Sequence, residues 1–306
     1  MKTLSTSAAV LTCILLSMIC LPGFQPANRT EATLKGKETA SNSSSSKTAD
    51  QTDQVEDAAI QYEISSKSAI KVPSLKELLR NSIRPVGKTL YVWGGGWNEE
   101  DTGAGEEARK IGLSSRWEEF FNENDAAYNF QDSLYQIHDG LDCSGFIGWT
   151  LYNTFNNSDG REGLVVLSAQ TGDALAARGW GEVIPAENVE NHMPGDLMYS
   201  DSHVYMVLGE YDDGSVLLIH SAPPGGVQIS GTPSSDGNEH SMASHIADTL
   251  MQKYYPDFYS RYSSQTTDSS FLYGFSQFRW NPETMSDAQS IQSKTPDQII
   301  NLLFPE

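Results

Sequence analysis

Apolar positions along this chain repeat with two different periods, and the changes of period mark its elements. In "FIGWTLYNTF", residues 146–155, Phe146, Ile147, Leu151 and Phe155 recur close to a helical period. Asp142, Ser144 and Gly145 are poor helix-interior residues, so the helix is predicted to start at Cys143. Downstream, Pro, Gly, Asp and Ser clusters punctuate apolar runs of strand length, with His203, Tyr205 and Val207 on one face of the first and Val216, Leu218 and His220 on one face of the next. Three more helices are expected. One begins at about Leu75, with Ser74 and Glu77 spaced as a capping box. A second lies in "SSRWEEFFNEN" at 114–124. The third ends the chain in "TPDQIINLLF", where Thr295 and Gln298 repeat the capping-box spacing. The tyrosines of 239–262 are expected to pack a further helix against the core. The fold class is α+β, with an antiparallel sheet of about five strands.

The first 60 residues follow neither period. Lys2, an apolar stretch from Ala8 to Leu21 and Pro22-Gly23 have the layout of a secretory signal, assigned to residues 1–27. The apolar stretch is shorter than the roughly 20 residues of a spanning helix, so cleavage and secretion to the extracellular space or cell wall are expected, with a membrane tether if the signal is retained. Lipidation at Cys20 is disfavoured by the bulky Ile19 before it. Residues 28–60 are rich in Ser, Thr and charge, too poor in apolar surface to offset their ordering entropy, and read as a disordered linker. Residues 61–306 form one domain.

Charge narrows the partners. A formal net charge of −20 argues against nucleic acid, whose binding needs clustered Lys and Arg. Of three cysteines, Cys13 and Cys20 fall in the signal, so the mature chain is expected to form no internal disulfide and to keep Cys143 as a lone thiol. At a helix N-terminus the macrodipole and free N–H groups favour a thiolate, so its pKa is expected to lie below the roughly 8.5 of a free cysteine. A thiolate nucleophile needs a base, and His203 and His220 stand in suitable order after it. His240 and His245 are spaced poorly for a metal pair, and "GGGWNEEDTGAG" lacks the Gly-Lys-Ser/Thr of a phosphate loop. No metal and no cofactor are expected.

Four stretches together, "YVWGGG" at 91–96, "LDCSGFIGW" at 141–149, "MPGDLMYSDSHVYMVLG" at 193–209 and "LLIHSA" at 217–222, make residues 75–230 resemble the NlpC-type cell-wall cysteine peptidases. The resemblance implies a papain-like fold, Cys143 as nucleophile, His203 as general base and His220 as its orienter. Tyr91, Asp142, Ser144 and Ser202 match positions near the thiol or lining the substrate cleft. It further implies hydrolysis of an amide in peptidoglycan stem peptides, first of all the D-glutamyl-diamino acid bond, by a monomer. A related thiol amidase or acyltransferase on another wall or lipid amide and an inactive wall-binding module are the alternatives. An insertion at about 97–139 and a C-terminal extension depart from the family pattern. The insertion either caps the cleft or forms a surface excursion with its own small core, and His138 within it reads as a loop residue.

The spacing of the two histidines makes a geometric demand. A two-residue turn at Asp213-Gly214 sets Val207 opposite His220 and leaves the imidazoles about 13 Å apart. A four-residue loop, Tyr211 to Gly214, or an equivalent bulge, sets Tyr205 opposite His220 and lets the rings meet. The wider loop or bulge is predicted.

Overall fold

A computed structural model describes residues 72–305 except 264; the signal, the linker and residues 61–71 lie outside them. All the described residues belong to the unit Ser66–Glu306. The architecture is α+β, with eight α-helices among the described residues and one open antiparallel sheet. Helices α1 (Leu75–Ile83), α2 (Ser115–Glu123), α3 (Cys143–Phe155) and α4 (Thr171–Ala177) precede the sheet. Strands β1 (Gly181–Ile184), β2 (Leu197–Tyr199), β3 (Val204–Glu210), β4 (Val216–Ala222) and β5 (Gly226–Gly231) follow. After them come α5 (Met242–Tyr254), α6 (Pro256–Arg261), α7 (Ser270–Tyr273), β6 (Ser276–Trp280) and α8 (Pro296–Leu303). Both expected capping boxes are present, at Ser74/Glu77 and Thr295/Gln298.

The sheet has six strands in the order β1-β6-β2-β3-β4-β5, one more than expected. The additional β6 comes from the C-terminal extension and inserts between β1 and β2. Its Gln277 and Arg279 both donate to the carboxylate of Asp196, which is fully buried at the start of β2. The extension is thus part of the core sheet. Its alternation, "SQFRW", is too short to separate from a loop by pattern alone.

The two faces of the sheet carry different partners. Val204, Met206 and Leu208 of β3 and Leu217 and Ile219 of β4 share a core with α1 and α3. On the opposite face Tyr205, Val207, Val216 and Leu218 pack with Leu272 and Phe275. The insertion joins the first core: Trp117 of α2 meets Trp149 of α3 edge to face at 5.7 Å, and Phe121 stacks on Phe258 of α6 at 6.0 Å. The expectation of a separate small core is therefore corrected. Large aromatics on the inner face of α2 bury more area against the existing core than so short a segment can bury against itself.

Candidate active site

Helix α3 begins at Cys143, and Asp142 is its N-cap, accepting from the N–H of Gly145 at 2.6 Å and from the hydroxyl of Ser144 at 2.8 Å. Ser144 in turn accepts from the indole N–H of Trp97 at 3.0 Å. Burial pushes the Asp142 carboxyl up to about 6, against the backbone N–H of Gly145 and the Ser144 hydroxyl, which pull it down. The glycines of "WGGG" and "LDCSG" explain themselves here. A Cβ on Gly145 would stand 1.9 Å from the carbonyl oxygen of Gly95, and one on Gly96 2.7 Å from the Gly145 Cα. Only bare backbone permits this approach.

Residues 90–92 run beside Leu141, so that Tyr91 forms a parallel bridge with it and lies next to the thiol. Tyr91 is buried, and burial first, then the nearby Cys143 and Asp142, raise its phenol well above the ordinary range and keep it protonated. Its carbonyl accepts from the Tyr128 hydroxyl at 2.8 Å, and its ring meets Phe130 edge to face at 5.2 Å. The insertion therefore lies against Tyr91. His138 sits in a turn and pairs with Glu107 at 2.9 Å.

The imidazoles of His203 and His220 meet, Nε2 to Nδ1, at 2.9 Å. The predicted register is reached by a wider turn and a bulge together. Tyr211 pairs with Ser215 across a three-residue turn that ends in Gly214 at φ +74°, and a bulge between Val207 and Gly209 supplies the remaining offset. Met206 then faces Ile219, which brings Tyr205 abreast of His220. On β5, Gln228 pairs with His220, and Ser230 two positions on lies 3.1 Å from His220 Nε2. The chain of contacts fits two tautomer sets: His203 Nε2–H donating to His220 Nδ1 with His220 Nε2–H donating to Ser230, or the reverse, with the Ser230 hydroxyl donating to His220 Nε2 and His220 Nδ1–H to His203 Nε2. The amide N–H of Gln228, 3.5 Å from the same His220 nitrogen, can only donate and fits the second set. His203 Nδ1 has no hydrogen-bond partner among the described residues.

The Cys143 sulfur faces the backbone N–H of Val204, the residue after His203, and those of Ser144 and Cys143. No hydrogen bond joins Cys143 to His203 among the described residues. Cys143 is only 8% exposed, and burial, then the Asp142 carboxylate, push its thiol up to about 12. This overturns the expected depression. The helix N-terminus and three N–H groups favour the thiolate, but desolvation and an adjacent acid outweigh them. Burial likewise pushes His203 down to about 4 and, together with the neighbouring His203, holds His220 well below its usual value. At neutral pH the resting pair is thiol and neutral imidazole.

Of the residues anticipated, Cys143, Tyr91, Asp142 and Ser144 come together, and His203 meets His220, with the Val204 N–H linking the strand after His203 to the thiol. Ser202 lies on the exposed rim, 3.5 Å from Ser200. Sequence reasoning missed Trp97, Ser230 and an aromatic cover on the histidines. Phe271 packs on His203 at 5.4 Å and on His220 at 5.9 Å, and the Tyr205 hydroxyl donates to its carbonyl at 2.6 Å. Ser230 was within reach, since it follows from alternation along "GGVQIS" once the His220 register is known. No family model, no curated protein and no solved structure matches this chain.

Proposed function

We propose that this protein is a secreted thiol hydrolase with a papain-like site that cuts an amide bond in peptidoglycan stem peptides, first of all between D-glutamate and the diamino acid. The observation that supports this reading is the His203–His220 contact at 2.9 Å, together with the backbone N–H of Val204, the residue after His203, at the thiol that starts α3. In the proposed cycle Cys143 attacks the carbonyl as its proton passes to His203 Nδ1, a neutral base at pH 7. The oxyanion is held by the Cys143 N–H and the protonated Tyr91 hydroxyl. His203 returns the proton to the departing amine, and water hydrolyses the thioester. His220, fixed by Ser230, keeps the His203 ring in the required tautomer. The choice of bond follows the sequence resemblance.

Incubation of the protein with purified peptidoglycan and mass analysis of the soluble products tests the reading. The expected pair is a fragment ending in D-glutamate and a fragment with a new amine on the diamino acid. Intact stem peptides after complete incubation would refute it, and products cut elsewhere would move the assignment to another wall amide.

A further inference from the structure

The thiol and the imidazole approach the start of β3 from different faces. Val204 and Met206 turn into the core that holds Cys143 and Phe146 of α3, and the strand offers the sulfur its backbone, the N–H of Val204. His203 falls on the alternate face with Tyr205, where His220 of β4 and the aromatics of the C-terminal extension lie. There the ring of Phe271 packs on His203 at 5.4 Å, on His220 at 5.9 Å and on Tyr205 at 5.3 Å, and Phe275 backs it at 5.1 Å. One short strap carries both phenylalanines. It is tied to the sheet at its start, where the Thr267 N–H donates to the Gly231 carbonyl at 2.9 Å, and at its end, where Ser276 opens β6. Between these ties Leu272 and Phe275 are buried and Phe271 is half-buried, while Asp268, Ser269, Ser270, Tyr273 and Gly274 are exposed. So little buried surface makes the strap the part of the site that opens locally at least cost.

We propose that the strap from Asp268 to Phe275 is an autoinhibitory cover, with Phe271 holding the His203 ring on the far face of β3, away from the thiol that starts α3. The inference rests on the thiol hydrolase reading and adds a control to its site. With the cover seated, His203 is confined between His220 and Phe271, and no hydrogen bond joins it to Cys143 among the described residues. When the cover lifts, the ring is free to turn about its Cα–Cβ bond toward the sulfur, which already accepts from the N–H of the next residue, Val204. The Sγ proton then passes to the imidazole and leaves a thiolate nucleophile. Tyr205 sets how tightly the cover sits, because its hydroxyl donates to the Phe271 carbonyl at 2.6 Å.

Alkylation of Cys143 by iodoacetamide at neutral pH, followed by mass on the peptide that contains it, reads the thiol without any substrate. The sulfur displaces iodide, and its proton goes to His203 or, failing that, to water. The variants of the full chain are Phe271→Ala, which removes the ring, and Tyr205→Phe, which removes only the hydrogen bond that seats it. Each is also combined with His203→Ala, and all are melted in parallel. Phe271→Ala should speed alkylation at least about tenfold, general-base assistance being worth about a hundredfold when complete, and Tyr205→Phe should act in the same direction. In the His203→Ala background both gains should vanish. An unchanged rate in Phe271→Ala, or a gain that survives His203→Ala and so reports mere access, would overturn the proposal; if Phe271→Ala does not fold, Tyr205→Phe decides by the same criteria. Release from peptidoglycan separates the two claims. A His203-dependent gain with no release by any of the proteins sinks the hydrolase reading alone; release by wild type without that gain sinks the cover alone; neither gain nor release sinks both.

Discussion

At the scale of single residues, the site is a balance between burial and local donors, and burial wins. The thiol at about 12 and the imidazole at about 4 keep Cys143 and His203 neutral across the physiological range, so the proposed cycle moves the proton during attack. Thiol alkylation measured against pH should keep accelerating beyond 8.5, and a plateau below that value would contradict a buried neutral thiol. Asp142 supplies a second pH signature. Its folded pKa of about 6 exceeds the ordinary value of 3.8, so the folded state binds its proton more tightly. That contribution to stability is full below 3.8 and is lost as pH rises through about 6. Asp142→Asn keeps the accepting oxygen and removes the ionisation. The variant should melt above wild type at pH 7.5, by an amount that shrinks as pH falls through 6; a difference independent of pH between 4 and 7.5 would contradict this. The two buried histidines act in the opposite sense, their stability being present above about 6.5 and lost as His203 passes about 4. Because they are common to both proteins, they cancel in the comparison.

At the scale of elements, two devices aim the catalytic candidates: close backbone packing under α3 and the bulge in β3. Gly145→Ala places a methyl group on the Gly95 carbonyl, which no side-chain motion relieves. We expect a cost of about 3 kcal/mol, as for an overpacked core, and loss of turnover from a displaced thiol. Gly103→Ala, with nothing within 4 Å of the added Cβ, is the control and should leave the melting temperature unchanged. Equal melting temperatures for the two variants would remove the packing argument. These elements also show what was legible. Capping boxes at Ser74 and Thr295 and the α3 start at Cys143 are local signals and stand in the sequence. The histidine register followed from asking which pairing lets two rings meet. The bulge that helps achieve it falls at Gly209, the one glycine of "MVLGE", a mark of a bulge in the sequence that the reading of the turn left unused.

At the scale of the molecule, the sheet is closed on its β2 side by a strand that the chain delivers almost last. β6 pairs with β1 and β2, and Asp196 at the start of β2 is satisfied largely by Gln277 and Arg279. A chain ended after Tyr262 strips those partners from a buried carboxylate and splits β1 from the sheet. It should lose the cooperative melt of the full chain; an unchanged melt would show the extension to be dispensable. The same distance in sequence explains why the aromatic cover on the histidines was missed. Phe271 and Phe275 lie more than fifty residues beyond His203 and His220, the first in a short helix and the second in the loop after it, where the pattern points to no particular surface.

The central claim is that the buried thiol is the nucleophile, and its most direct measurement is product release from peptidoglycan by wild type and Cys143→Ala side by side, with thermal melts of both. The account predicts release by wild type and a loss of at least about a thousandfold in the variant, at a melting temperature within a few degrees, because removing one small buried sulfur costs little packing while removing the nucleophile removes the pathway. Turnover by Cys143→Ala at the wild-type rate would contradict it.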